Sequence, residues 1–518
     1  QRHPNGPRAE LSRLITERNR LDAVLSPWTE GIPLVHPETG ARLTTEQYAI
    51  QRHRRRQMRV DILDCWKQQV SLPENTEQTI DLRLSQSIMG ELPQLEVNFS
   101  HVDYLTIEGV GSTQGIHGFL NCFSGLRRLA LRNFQLGSLP ESISQSPQLR
   151  ELILSDCSIT LTAESHTTLA ALTHLRTLDL FRNPLGLTPN VEKMPRLNYI
   201  DVSETGISEL PPGLLTRPLL RTALLNDNQI RSLSPALFEL PNNVPEGFDL
   251  SGNPIASADR ERIKRHFNDT RQDFGVMAEQ ADLLRVQALY THMDLEQASE
   301  FFYLLPGTLA EGRIELARLE REYSDLSSNL ANWATDHPAL HPISGEPFTI
   351  EQVLIEHAAR HEFKSLIEQC WRRETEQDEP DQNLQPLHDL NLATIIRGDL
   401  PVLNADFSHV THLYLRSLPG QTFGIDRFVE TFASLRGLTI YQYRLEHIPP
   451  AVFRMAKLTY LSLSHCELTL TPQNALELAQ MERLDHLDLS DNPLGETPDV
   501  SQMTNLQTLM LDNTGSMA

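Results

Sequence analysis

Five cysteines, one close pair of histidines and one arginine-rich run are the side chains whose types and spacing could do chemistry. The cysteines are Cys65, Cys122, Cys157, Cys370 and Cys466; none forms Cys-x-x-Cys, and an odd count at wide spacing is not a disulfide framework. That usage fits a reducing compartment. Cys157 and Cys466 occupy the same place in two similar segments, LSDCSITLT from Leu154 and LSHCELTLT from Leu463. A buried capping role is expected for both, because a nucleophilic thiol needs a lowered pKa and access. Cys65 and Cys370 each precede a tryptophan on an expected amphipathic helix and read as small buried hydrophobes. His357 and His361 lie four residues apart on an expected helix, a spacing that could hold zinc, yet no third ligand accompanies them. The run Arg52-His53-Arg54-Arg55-Arg56 is expected to form a solvated helix face or an intramolecular contact. GVGSTQG at 109–115 lacks the Lys-Ser/Thr that completes a phosphate loop. No catalytic residue, metal site or cofactor is therefore expected.

The elements that must position these residues recur. LRRLALRNFQLGSLP from Leu126, LRELILSDCSITLT from Leu149 and LRTLDLFRNPLGLTP from Leu175 share the pattern L-x-x-L-x-L-x-x-N/C-x-L. That pattern encodes a short strand and a variable return arm, the leucine-rich repeat. One unit cannot bury its apolar strand face, so neighbours must stack into a curved α/β solenoid. Units are expected to begin near residues 79, 102, 126, 149, 175, 197, 220 and 245, and again near 387, 410, 435, 458, 484 and 506. Asn183, Asn228, Asn253, Asn492 and Asn513 are expected to form the asparagine ladder of the turns.

The chain is written nearly twice. Trp28 and Cys65-Trp66 recur at Trp333 and Cys370-Trp371, an offset of 305 that grows to 309 at LDLFRNPLG against LDLSDNPLG. Leu126, Leu149, Leu175 and Leu197 step by 23, 26 and 22 residues, and Leu435, Leu458, Leu484 and Leu506 repeat those steps. Two tandem copies follow: a helical segment at 1–78, repeats with a C-terminal cap at 79–270, a second helical segment at 271–383 and second repeats at 384–518. Helices are expected at about 8–26, 44–69, 257–268, 278–298, 308–333 and 350–376, with an acidic linker at 375–383. Both ends read as cut from a longer protein.

The net charge of −23 disfavours a nucleic-acid partner, and no apolar run approaches the length of a membrane span, so no membrane insertion is expected. Of 45 cations only five are lysine. What remains is a surface. Residues between the leucines of each strand alternate onto the concave face. They include Tyr104, Arg128, Arg132, Glu151, Asp179, Phe181, Tyr199, Asp201 and Asn226 in the first copy. The second contributes Tyr414, Arg416, Tyr441, Tyr460, His486, Asp488 and Asp512. Aromatic and charged groups mixed on a rigid sheet suit binding of a protein partner, either a host protein or another domain of the same protein.

Helical segments with Cys-Trp, then Asn98-Phe99-Ser100-His101-Val102 or Asp406-Phe407-Ser408-His409-Val410, then repeats of this form resemble large bacterial effectors of the leucine-rich-repeat novel E3 ligase family. The resemblance implies secretion by a bacterium, action in the host cytoplasm, and repeats that select a target for a cysteine-dependent ubiquitin ligase domain. That family's Cys-x-Asp motif is absent, since Lys67, Ser124, Ile159, Arg372 and Leu468 follow the five cysteines two places on. The alternative reading is a non-enzymatic adhesion or assembly scaffold.

Overall fold

The computed structural model describes residues 7–71, 79–241, 247–373 and 389–515. The chain divides into two compact units, Gln1–Ala278 and Glu279–Ala518. Each unit carries one long parallel sheet whose strands follow chain order, eight in the first and six in the second, and a two-stranded parallel pair, Gly90–Glu91 with Thr113–Gln114 or Gly398–Asp399 with Thr422–Phe423. In the first, Leu82, Leu105, Leu129, Leu152, Leu178 and Ile200 lie in one register row, all buried. In the second, Leu390, Leu413, Leu438, Leu461 and Leu487 do the same. One leucine per strand stacked on the next is the core, so burial depends on neighbours rather than on any single repeat.

The turn after a strand leaves backbone groups that water cannot reach, and in most of the later repeats of each unit one buried polar side chain satisfies them, while Phe134 and Tyr443 fill the same slot in the repeats from Leu126 and Leu435. Asn183 donates from Nδ2 to the carbonyls of Leu154 (2.6 Å) and Leu180 (2.8 Å) and accepts at Oδ1 from the N–H groups of Cys157 (3.0 Å) and Ile159 (2.9 Å). Asn228, Asn253 and Asn492 make the equivalent bridges. Asn513 does not. It is exposed and left-handed, with Nδ2 on Asp491. Counted from Leu506, the ladder slot is Thr514, buried and bonded to the Leu511 carbonyl (3.0 Å), as Thr205 is to Val202 (2.7 Å).

A two-helix hairpin precedes each sheet: Pro7–Glu30 with Thr45–Ser71, and Leu309–Thr335 with Ile350–Trp371. Leu21, Leu25, Met58 and Ile62 fill the first hairpin, and Leu326, Leu330, Phe363 and Ile367 the second. The helical stretch expected at 278–298 is two helices, Gln280–Leu289 and Leu295–Leu304. Asp294 starts the second through a reciprocal capping box with Gln297, which supplies donors and acceptors a continuous helix would not need. The cap helix runs over Ser257–Thr270. Residues beyond it stay with the first unit because the Phe274 carbonyl accepts the Leu250 N–H (2.8 Å) and its ring stacks on His266. The acidic linker at 375–383 lies outside the described residues.

One arginine ties each hairpin to its sheet. Arg360 is fully buried, 4.7 Å over the Trp333 ring, and donates to the carbonyls of Trp333 (2.8 Å), Asp336 (3.2 Å) and Arg397 (2.6 Å) while pairing with buried Glu356 (3.1 Å). Arg55 does the same with Trp28 (2.7 Å), Gly31 (3.0 Å) and Met89 (2.8 Å), 4.9 Å over the Trp28 ring. At the other end of each hairpin, His101 and His409 meet the Cys65 and Cys370 carbonyls at 3.2 and 2.9 Å. The shared His-Val motif is thus the dock for a helix C-terminus.

Two outcomes follow. Arg360→Met should lower stability by about 3–5 kcal/mol, because it leaves three carbonyls without their donor and takes one of two arginine partners from the buried Glu356 carboxylate, whereas Arg52→Ala should leave the urea midpoint unchanged; equilibrium denaturation distinguishes them. Burial holds the His101 imidazole below its usual value. The unfolded chain therefore takes up that proton first as pH falls. The stabilisation is complete above the ordinary imidazole pKa, 6.5, and is lost below it as the folded pKa is approached. His101→Gln, which cannot titrate, should flatten the dependence of the unfolding midpoint on pH just below 6.5; an unchanged slope would assign it to other groups.

Candidate functional site

The face of each sheet opposite the leucine stack carries the polar row. In the first unit Tyr104, Arg128, Glu151 and Tyr199 share one register row with Asp81, Thr177 and Thr222. Arg128 pairs with Glu151 at 3.3 Å, so adjacent strands hold each other's charges. Arg132 lies two rows on, beside Glu108 and Ser155. Ala130 and Ile153 sit between these rows and are buried, so the face has an apolar floor that alternation alone does not reveal.

Asp179 and Asp201 are neighbours in the next row. Each spends one carboxylate oxygen on the backbone N–H two residues on: Asp179 on Phe181 (3.0 Å) and Asp201 on Ser203 (3.0 Å). The second Asp179 oxygen accepts from Ser155 (3.1 Å). Asp488 repeats the set with Ser490 (3.0 Å) and Ser462 (3.0 Å). These aspartates close the turn after the strand before they face any partner. Burial raises the Asp179 carboxyl, with a contribution from the Asp201 charge, and burial beside both acids pushes the Tyr199 phenol up to about 12. Phe181 and Asn226 lie beyond their strands; Arg182 stacks 4.8 Å over the Phe181 ring.

In the second unit, Tyr460 and His486 are cross-strand neighbours with rings stacked at 4.2 Å, and Arg416 lies 6.0 Å over the Tyr441 ring. Asp512 is exposed, past the end of the last strand. A pocket of about 320 Å³ opens on this face between His412, Tyr414, Thr439 and Tyr460. Its floor is Gly437, where an added Cβ would come within 2.4 Å of the His412 ring, and its rim includes the His412–Asp389 pair at 2.8 Å. Asp389, His412 and Gly437 are absent from the sequence-derived set. A glycine at a strand position was the signal that could have found them. Arg128 takes the Gly437 position in the first unit.

The other candidates resolve into structure. Cys157 Sγ donates to the Leu131 and Ser155 carbonyls and Cys466 Sγ to those of Ile440 and Ser464. Burial pushes the thiols of Cys65, Cys157, Cys370 and Cys466 up to about 12. His357 and His361 contact each other through Nε2 at 3.1 Å on an exposed helix face. Among the described residues, no group of three or more His, Cys, Asp and Glu is placed to hold a metal ion. Arg52 and Arg56 pair with Glu30 at 2.7 and 3.1 Å, Arg54 donates to the Ser87 carbonyl (2.8 Å), and Arg55 is the buried clamp. Thr113 of the GVGSTQG loop donates its hydroxyl to the Ile88 carbonyl (2.7 Å). No helix among the described residues is long and apolar enough to cross a membrane.

The fold and this face define the class: the chain carries leucine-rich repeats, and a leucine-rich-repeat family model matches residues 171–188. It is similar to a putative disease resistance protein of Arabidopsis thaliana, 29% identical over 199 residues, which are 37% of this chain and 16% of that protein. Among solved structures, a leucine-rich-repeat protein of Leptospira interrogans aligns at 15% identity over 85% of this chain and 91% of its own, with a TM-score of 0.27. An internalin of Listeria monocytogenes aligns at 12% identity over 86% and 94%, also at 0.27. A plant peptide hormone receptor in complex with its peptide aligns at 16% identity over 84% of this chain and 63% of its own, with the same TM-score.

The buried thiols give a direct expectation. With a pKa of about 12, Cys157 and Cys466 are thiolate in about one molecule in ten thousand at pH 8. Iodoacetamide should leave both unmodified in the native chain for hours and label them in urea, as read by peptide mass spectrometry. Rapid native labelling of either would restore a reactive thiol to consideration.

Proposed function

We propose that this chain is the protein-recognition region of a secreted bacterial effector, built as two tandem helical-plus-repeat modules. The observation that carries the recognition reading is the open face of each sheet. There Tyr104, Arg128 and Glu151 in one unit, and Tyr414, Tyr460 and His486 in the other, stand half-buried or exposed on a rigid parallel ladder. Large aromatic and arginine side chains held in place by their neighbours lose little entropy on binding, which is why such residues dominate recognition surfaces. The effector assignment rests on the helical Cys-Trp segments and the His-Val motifs. By that resemblance the parent protein acts in the host cytoplasm and passes ubiquitin to the captured target through a cysteine outside this stretch. Four of the five cysteines present have no part in such a step, being buried and spent on packing.

The test is capture of a target from eukaryotic cell lysate by this chain and by a variant carrying Tyr414→Ala and Tyr460→Ala, with the longer protein assayed for ubiquitin transfer to whatever is captured. The reading expects a specific protein retained by the native chain, weakened at least about tenfold by the double variant, and ubiquitinated by the parent in a cysteine-dependent reaction. Retention indifferent to the face would remove it as the recognition surface. Capture without transfer would leave the scaffold reading in place of the effector one.

A further inference from the structure

The residue immediately before each strand of the first unit forms a second ladder, along the edge where strands begin. Arg127, Arg150, Arg176, Asn198 and Arg221 follow one another, each N–H bonded to the carbonyl of the residue before it in the ladder at 2.7–2.9 Å. Arg127 pairs with Asp103 at 3.1 Å. Arg150, Arg176 and Arg221 are exposed, as is Arg196 beside them, and among the described residues none of these four makes an ion pair. In a chain of net charge −23, four uncompensated guanidinium groups on one edge are a local inversion of sign. The same ladder in the second unit reads Arg436, Thr459, Asp485 and Gln507, so the repeat fold does not require arginine there.

The inversion coincides with a cavity. A pocket of about 710 Å³ is lined by Arg176, Arg196, Asn198 and Arg221 together with Pro218 and the exposed Leu219, and among the described residues no carboxylate lines it. We infer that this edge of the first unit binds an extended acidic segment of a protein partner. Guanidinium groups present paired N–H donors to carboxylates, and Asn198 adds an amide donor at the centre. Ladder steps of roughly 4.8 Å place Arg150 and Arg221 about 14 Å apart, a length that about four extended residues cover. The proline and leucine walls favour a peptide over a nucleic-acid backbone, since phosphates have no use for an apolar wall and the acidic remainder of the chain repels a long polyanion. This edge is separate from the aromatic face proposed above as the recognition surface.

The test is fluorescence anisotropy on the whole chain with a labelled Glu-rich peptide of about eight residues, its Gln counterpart, and an oligothymidylate of equal charge. The Glu peptide should bind with strong salt dependence, and the Gln peptide should not. Arg176→Gln with Arg221→Gln should weaken the Glu peptide about tenfold or more. Asn198→Asp, which sets a carboxylate in the pocket, should weaken it too. The arginine variant should melt with the native chain because both arginines are exposed, and Asn198→Asp should stay folded at the temperature of the assay, since among the described residues the Asn198 side chain makes no hydrogen bond. Tyr414→Ala with Tyr460→Ala should leave this binding unchanged, so the two surfaces succeed or fail separately. No binding of the Glu peptide, binding indifferent to the arginines, or tighter binding of the oligothymidylate would each overturn the inference.

Discussion

Each repeat buries its leucines only against the next repeat, and the bend that returns the chain must hide backbone groups from water. The buried amide or thiol at the turn meets that second demand. Asn183 alone holds two carbonyls and two N–H groups, linking the turn of its own repeat to the one before. Asparagine suits the slot because one planar group donates twice and accepts twice. Cysteine and threonine suffice where fewer groups need a partner, as at Cys157 and Thr205. Where it runs, this ladder links each turn to the one before and so helps to hold the strands, and the row of side chains on their open face, in register.

A solenoid also has a first strand that no preceding repeat covers. Each hairpin supplies the cover, and each fixes its position through carbonyls rather than through apolar packing alone. Arg55 and Arg360 act as multi-dentate donors to helix-end and loop carbonyls that would otherwise be unsatisfied. Trp28 and Trp333 carry these guanidinium groups on their ring faces and donate their own indole N–H to the backbone carbonyls of Glu91 and Asp399 at 2.8 Å. Gln51 and Glu356 close the arrangement by accepting the N–H of Met89 (2.9 Å) and Arg397 (2.8 Å). The two sites differ in charge, since Glu356 pairs with Arg360 and Arg397 where Gln51 is neutral, yet the geometry is the same.

Periodicity made the strands and most ladder positions legible, because a pattern of leucines two and three residues apart admits one phase. Asn513 escaped for a simple reason. Residue type suggested the slot while counting from Leu506 puts Thr514 there, and the backbone follows the count. Arg55 was hidden among four arginines of one run: Arg52 and Arg56 pair with Glu30, Arg54 reaches a single carbonyl, and only Arg55 is buried against three, a difference that residue type cannot show. The pocket at Gly437 was readable only in outline, since the loss of a side chain shows in sequence while the walls around it belong to other strands. The double role of Asp179, Asp201 and Asp488 was likewise out of reach, because a turn-closing carboxylate and a solvating one are the same letter.

The two units keep their interior contacts and differ outside. The tryptophan–arginine stack, the histidine on the helix-end carbonyl and the thiol in the turn recur at matching positions, often within a few tenths of an ångström. On the open face, Arg128 with its Glu151 partner fills the place that Gly437 leaves empty beneath Tyr460. On the strand-start edge, Arg150 and Arg176 stand where the second unit has Thr459 and Asp485. A duplicated solenoid can vary these positions at little cost to folding, because none of them carries the leucine stack or the turn ladder. Differences at such positions mean that the two units present different chemistry from one scaffold. On the recognition reading proposed above, a partner matched to one face would not by that match fit the other.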